Sequence, residues 1–141
     1  QLQIAGDGPL MKFLEKKAYG YNNIKLLGWI KDKNEFFKKI DIFFCSSFIE
    51  PFGLVILEAM LNGVPVISTK CKGPLDIIKH MKNGILVNID DKQEMEKAVR
   101  LLEKDKLLRK QIIKNAFETL KDKYSIEVYK KNLFSEIKKT L

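Results

Sequence analysis

Asp41-Ile42-Phe43-Phe44-Cys45-Ser46-Ser47-Phe48-Ile49-Glu50-Pro51-Phe52-Gly53-Leu54-Val55-Ile56-Leu57-Glu58-Ala59-Met60 is the stretch on which the reading of the fold turns. Its first five residues form a nearly unbroken apolar run, as buried central parallel strands do. Pro51 suits the first turn of a helix, where its missing N–H would be unpaired anyway. A helix is therefore predicted from near Phe52–Leu54 to Asn62-Gly63, a good C-terminal stop. The stretch reads as strand, short loop, helix. At such a junction the first helical N–H groups lack partners and carry a partial positive charge, which suits phosphate.

Two carboxylates bracket that helix start. Glu58 sits among Leu54, Val55, Ile56, Leu57, Ala59, Met60 and Leu61, so the helix is predicted to be mostly buried. An ionised group there is costly without a partner. Glu58 lies about 6–9 Å into the helix, and Glu50 precedes it. The order acid, free N–H groups, acid suits a ligand with hydroxyls at each end and a diphosphate between, as in a nucleotide-sugar. The spacing equally admits a plainer reading, in which Glu50 caps the helix and Glu58 finds a narrow exposed strip.

Outward from this stretch the chain alternates strands and helices. Leu2–Ala5 reads as a strand ending in the turn Gly6-Asp7-Gly8-Pro9, and a helix to about Lys17 clusters Leu10, Met11, Phe13, Leu14 and Ala18. Ile24–Leu27 is a second strand, ended by Gly28-Trp29-Ile30, and a helix over 33–40 follows. A fourth strand is predicted over 64–68, a loop over 70–74, a short helix from Pro74 through Lys79, and a fifth strand over 85–88. The remainder is helical. Asp90 or Asp91 caps a helix with Met95, Val99 and Leu102 inward. The next, over 106–120, turns Leu107, Leu108, Ile112, Ile113 and Ala116 inward; a last one, capped by Ser125, carries Val128, Tyr129, Leu133, Phe134, Ile137 and Leu141. Alternation with short loops indicates an α/β fold, a Rossmann-like parallel sheet flanked by helices. Ligands of such sheets bind at the carboxyl ends of strands, and the polar and glycine-rich stretches all follow strands.

The 141 residues, 45% hydrophobic and 31% charged, fit one globular domain spanning residues 1–141. Apolar runs are too short to span a membrane, and no leader pattern is visible. The opening Gln1–Gly6 reads like the inside of a domain, so the expectation is a fragment whose first strand lies upstream. The net charge of +8 is spread evenly, with 12 basic and 8 acidic residues up to position 88 and 14 and 10 beyond it. A solvated Lys-rich surface accounts for it; attraction to anionic lipid or a phosphorylated acceptor is the sharper reading. Only two arginines, Arg100 and Arg109, and no basic stripe interleaved with aromatics argue against nucleic acid. Cys45 and Cys71 are too few for a disulfide framework, and there is no glycosylation sequon, which suits a reducing cytoplasm. Cys45 reads as core and Cys71 as a loop residue between two lysines. His80, the lone histidine, reads as a surface residue on the helix after Pro74.

Gly6-Asp7-Gly8-Pro9, Leu27-Gly28-Trp29-Ile30, the Glu50…Glu58 element with its internal Phe52-Gly53, Gly63-Val64-Pro65-Val66-Ile67 and Asn83-Gly84-Ile85-Leu86-Val87 together resemble the C-terminal domain of family-4 glycosyltransferases, retaining enzymes of GT-B architecture. The resemblance covers essentially the whole chain. It implies that the domain holds a nucleotide-sugar donor, with Glu50 on the donor sugar's hydroxyls and Glu58 on the ribose. It places backbone N–H groups of Phe52, Gly53, Leu54 and Val55 toward the sugar and diphosphate, backbone near Trp29 and Ile30 toward the base, and Gly6 and Gly8 at the border of the cleft. The family's basic pair for the diphosphate and its acceptor-binding N-terminal domain are expected upstream of this sequence, so the catalytic groups are expected there and the isolated chain is expected to be inactive. The family needs no metal or other cofactor, and no Asp-x-Asp pair occurs here. Implied partners are a UDP-sugar, a glycan or lipid-linked glycan acceptor, the N-terminal domain itself, which the last helix contacts, and peripherally a membrane. The implied setting is bacterial surface polysaccharide synthesis, as O-antigen or capsule, in the cytoplasm at the inner membrane face. Rival readings are a dinucleotide-dependent oxidoreductase, which lacks its third glycine, and a non-catalytic nucleotide-binding or membrane-surface module.

Overall fold

The computed structural model describes residues 1–140. Leu141, counted above on the last helix, lies outside the described residues. The chain forms two compact units, Gln1–Phe36 and a second that begins at Phe37.

In the first unit β1 (Leu2–Ala5) and β2 (Ile24–Gly28) pair in parallel, Leu2 opposite Ile24 and Ile4 opposite Leu26, with α1 (Met11–Ala18) as the crossover. The register slips between Ile4 and Ala5, and the Gly6 N–H donates to the Gly28 carbonyl at 2.7 Å. Both glycines have positive φ, +132° and +63°, where an L side chain is strained. The predicted inward face of α1 is only partly so. Met11, Leu14 and Ala18 are half-buried, while Leu10 and Phe13 are exposed, with the Lys17 ammonium 5.6 Å over the Phe13 ring.

The helix predicted over 33–40 is shorter. It is α2 (Lys33–Phe37). Phe37 is buried edge-on against Phe43, 5.5 Å between ring centroids, and the chain turns after it to enter the next strand.

The second unit carries β3 (Phe43–Cys45), α3 (Leu54–Leu61), β4 (Val66–Thr69), α4 (Lys72–Ile77), β5 (Ile85–Val87), α5 (Lys92–Lys104), α6 (Lys106–Tyr124) and α7 (Ile126–Thr140). The sheet is parallel, in the order β3-β4-β5. Within this sheet β4, every residue of it buried, is central, and β3 lies at an edge, not at the centre as its apolar run suggested. The ladder of β4 begins at Val66, two residues later than predicted. Pro65 has no N–H to contribute, though its carbonyl accepts from Phe43 at 3.0 Å. Alternation along the strands turns Ile67, Ile85 and Val87 toward Ala98 and Leu102 of α5 and Ile112 of α6, with Ile42, Phe44 and Leu108 closing the cluster. α3 packs on β3, β4 and α6.

Several predicted details shift. α4 starts at Lys72, two residues before Pro74, which still occupies the first turn where a missing N–H costs nothing. His80 lies beyond α4; its Nδ1 accepts from the Leu86 N–H at 3.1 Å, so this exposed ring anchors the middle of β5. Val99 is exposed and Ala98 takes its place inward; Leu107 is exposed at the start of α6. Asp91 caps α5, accepting from the Glu94 N–H at 2.8 Å, and Asp105 does the same for α6 at Leu108. The Ser125 hydroxyl accepts from Val128 at 3.3 Å and opens α7, whose Tyr129, Leu133, Phe134 and Ile137 are exposed. Among the described residues no helix is long and apolar enough to cross a membrane. Removing the α5 cap with Asp91→Ala is expected to cost about 1 kcal/mol, read from the midpoint of urea unfolding.

Candidate functional site

In the second unit the carboxyl ends of the three parallel strands open into 46–53 after β3, Lys70-Cys71 after β4 and 88–91 after β5. The first of these is held in place by its own carboxylate. Glu50 Oε1 accepts from the Gly53 N–H at 2.9 Å and, more weakly, from Phe52 at 3.4 Å. The capping reading of Glu50 therefore describes its geometry, and its two N–H partners belong to the set that the resemblance turns toward a donor. The N–H groups of Leu54 and Val55 are the first of α3 and have no acceptor within the helix. They carry most of the helix's positive end.

Gly53 makes this junction. It precedes α3 at φ +94°, and a Cβ there would lie 3.1 Å from Ile77 Cδ1 and 3.2 Å from Ile56 Cδ1. Glycine takes this positive φ without strain, and the buried position leaves little room for a side chain. Glu58 follows one turn later on α3, half-buried rather than enclosed. The helix is not apolar-buried all round as its sequence suggested. Ile56, Ala59 and Met60 are buried, but Leu54 and Leu61 are 65% and 64% exposed, because an eight-residue helix seats one face on the sheet and α6 and leaves the other open.

Residues that sequence reasoning did not single out brace the loop. The Gly73 N–H donates to the Glu50 carbonyl at 2.8 Å. A Cβ on Gly73 would come within 2.6 Å of that carbonyl and of the Phe52 carbonyl group, so α4 is seated directly on the loop's backbone. The buried Thr69 hydroxyl donates to the Ser47 carbonyl, tying the end of β4 to the start of the loop. The Tyr124 ring meets Phe52 edge-on at 6.4 Å between centroids. Burial first, and the Asp76 carboxylate second, push the Tyr124 phenol above its ordinary value. The Lys72-Gly73-Pro74 sequence was the one local sign of such a contact.

Lys70 and Lys72 differ in their surroundings. The Lys70 ammonium donates to Asn88 Oδ1 at 2.9 Å and lies 4.0 Å from Glu94 Oε1, joining the ends of β4 and β5; Lys72 is exposed. Both cysteines are buried, and Cys71, read above as a loop residue, stands immediately before α4. No group of three or more metal-ligating side chains occurs among the described residues.

Glu50, Phe52, Gly53, Leu54, Val55 and Glu58 thus lie together in one loop and helix of the second unit. Gly6, Gly8, Trp29 and Ile30 belong to the first unit, just beyond the carboxyl ends of β1 and β2. Trp29 is 74% exposed and Ile30 half-buried; the Gly6 N–H is already engaged by Gly28.

Comparison with known proteins bears on this arrangement. The family model for glycosyl transferases group 1 matches residues 1–119. The lipopolysaccharide core biosynthesis glycosyltransferase LpsE of Rhizobium meliloti (strain 1021) is 33% identical over 129 residues, 89% of this chain and 38% of that protein. Anabaena Alr3699/HepE in complex with UDP-glucose superposes with a TM-score of 0.87 at 27% identity, over 99% of this chain and 40% of the other. The C-terminal domain of the glycosyl transferase group 1 family protein LpcC from Francisella tularensis superposes with a TM-score of 0.69 at 34% identity, over 82% of this chain and 60% of that one. The chain therefore spans about two fifths of the length of LpsE and HepE. Its α/β, Rossmann-like fold is that of GT-B glycosyltransferases. On the extent of these matches, the chain belongs to the glycosyl transferases group 1.

Proposed function

We propose that this chain is the donor-binding part of a family-4 retaining glycosyltransferase that uses a UDP-sugar. The observation that carries the reading is the Glu50–Val55 junction. A carboxylate, a left-handed glycine and the unpaired first N–H groups of α3 stand in sequence at a strand end, with Glu58 one turn further on. In this reading the backbone from Phe52 to Val55 faces the sugar and diphosphate, with the N–H groups of Leu54 and Val55 as donors while those of Phe52 and Gly53 hold Glu50. Glu50 accepts from sugar hydroxyls through the oxygen valence its loop leaves over, and Glu58 accepts from the vicinal ribose hydroxyls. Backbone at Trp29 and Ile30 meets the base, with Gly6 and Gly8 bordering the cleft. HepE, which is similar over 99% of this chain, was crystallised with UDP-glucose, which supports the choice of UDP.

In the whole enzyme the reaction is transfer of a hexosyl or N-acetylhexosaminyl group to an acceptor hydroxyl with the anomeric configuration kept. Negative charge gathers on the departing diphosphate, and the positive end of α3 lowers the energy of that state. The reaction is read as metal-independent, with no cofactor beyond the donor. The likeness to LpsE supports an acceptor among growing bacterial surface glycans, free or lipid-linked, such as O-antigen or capsule, and hence work at the inner face of the membrane. Titration of the full-length protein with UDP, GDP and ADP tests the reading. UDP is expected to bind and GDP and ADP to bind more weakly. Failure of all three to bind would remove the donor-binding role.

A further inference from the structure

The loop that carries Glu50 and Gly53 is braced by a residue more than seventy positions away. Several contacts hold the 50–53 segment. Glu50's own carboxylate is bonded to the Gly53 N–H at 2.9 Å, Gly73 donates to the Glu50 carbonyl at 2.8 Å, and the Tyr124 ring lies edge-on to Phe52 at 85° between planes. The first two act on backbone. Phe52 itself is half exposed, and its ring meets that of Tyr124 edge-on. Tyr124 is also well placed to be a fixed point. It is the last residue of α6, a helix whose Ile112 and Ala116 are buried, and Ser125 caps α7 directly after it.

We infer that Tyr124 is a positioning residue: by holding Phe52 it keeps the Glu50–Gly53 turn in the conformation that places the Glu50 carboxylate beside the first N–H groups of α3. The physical basis is the edge-to-face preference of aromatic pairs, in which the positive rim of one ring meets the negative face of the other. The hydroxyl is not needed for this, so the brace depends on the ring alone. Gly53 lies at a backbone angle that few residues adopt, and such conformations persist only where the surroundings over-determine them. Tyr124 supplies one such determinant from outside the loop.

The consequence for donor binding rests on the donor-binding reading of the loop; the consequence for loop order does not. The experiment therefore has two readouts on the full-length protein, with Tyr124→Leu and Tyr124→Phe. The first is amide hydrogen exchange at Gly53, with the Lys70 amide, bonded to Val87 between β4 and β5 at 2.9 Å, as reference. Tyr124→Leu is expected to speed exchange at Gly53 by about two- to tenfold and to leave Lys70 unchanged, while Tyr124→Phe exchanges like wild type. The second readout is UDP titration, in which Tyr124→Leu is expected to weaken binding by a similar factor and Tyr124→Phe to bind as wild type. Unchanged exchange at Gly53 in Tyr124→Leu, equal acceleration at Lys70, or loss in Tyr124→Phe as well overturns the inference. Local acceleration in a protein whose wild type binds no UDP upholds the brace and overturns the donor-binding reading instead.

Discussion

Gly73→Ala is expected to lower stability by about 2 kcal/mol and to weaken UDP binding by about tenfold or more. The added methyl would sit 2.6 Å from the Glu50 carbonyl oxygen and from the carbonyl carbon and oxygen of Phe52. These are backbone atoms, so no rotamer change relieves the clash. Either α4 lifts off the loop and the 2.8 Å bond from Gly73 to Glu50 is lost, or the loop moves and takes the Glu50 carboxylate off Gly53. Both routes disturb the turn that opens α3. Gly8→Ala is the matched control for stability, since a Cβ on Gly8 meets nothing within 4 Å. Thermal unfolding of the two variants and UDP titration of Gly73→Ala check this. A Gly73→Ala protein that melts and binds like wild type would show that the close seating of α4 on the loop does not govern the site.

Glu58→Ala is expected to weaken UDP binding by about 10- to 100-fold, the loss of hydrogen bonds from ribose hydroxyls to a charged acceptor. Its effect on stability should be small by comparison, because Glu58 is half-buried on α3 and alanine is a good helix former. That separation makes it the sharper test of a ligand role. Glu50 gives no such clean test, since its carboxylate also secures the Gly53 N–H and its removal loosens the loop whatever the ligand does. Isothermal titration with UDP at matched stability is the measurement. If Glu58→Ala binds UDP as tightly as wild type, the ribose assignment is wrong.

What could be read in advance depended on the range over which each feature is decided. The βαβ alternation, the five strands, the stop of α3 at Asn62-Gly63 and the caps at Asp91 and Ser125 follow from residues within a few positions of one another, and the structure has them. The left-handed turn at Gly53 was not read in advance, since the helix was predicted only to start near Phe52–Leu54. Boundaries moved where packing or strand pairing decided them. α2 stops at Phe37 because that ring is buried on Phe43, and β4 starts after Pro65 because the ladder needs an N–H. Which apolar residue faces inward on α5 was misjudged, since Ala98 and Val99 are neighbours and only packing against the sheet chooses between them.

The order of chemical groups from Glu50 to Glu58 was set by the sequence alone, and with it the α/β fold and the family to which the chain belongs. Helical rise and the unpaired N–H groups of a first turn need no tertiary information. Tertiary structure alone decided how the turn is held: Gly73 against the loop backbone, Thr69 to Ser47, Tyr124 on Phe52, and Lys70 across to Asn88 and Glu94. Each of these joins residues 18 or more positions apart, and no local pattern encodes which strand end or helix end will arrive beside which. It also decided that Glu58 is half-buried, because the burial of an apolar helix depends on how many of its faces find a neighbour, and α3 seats only one.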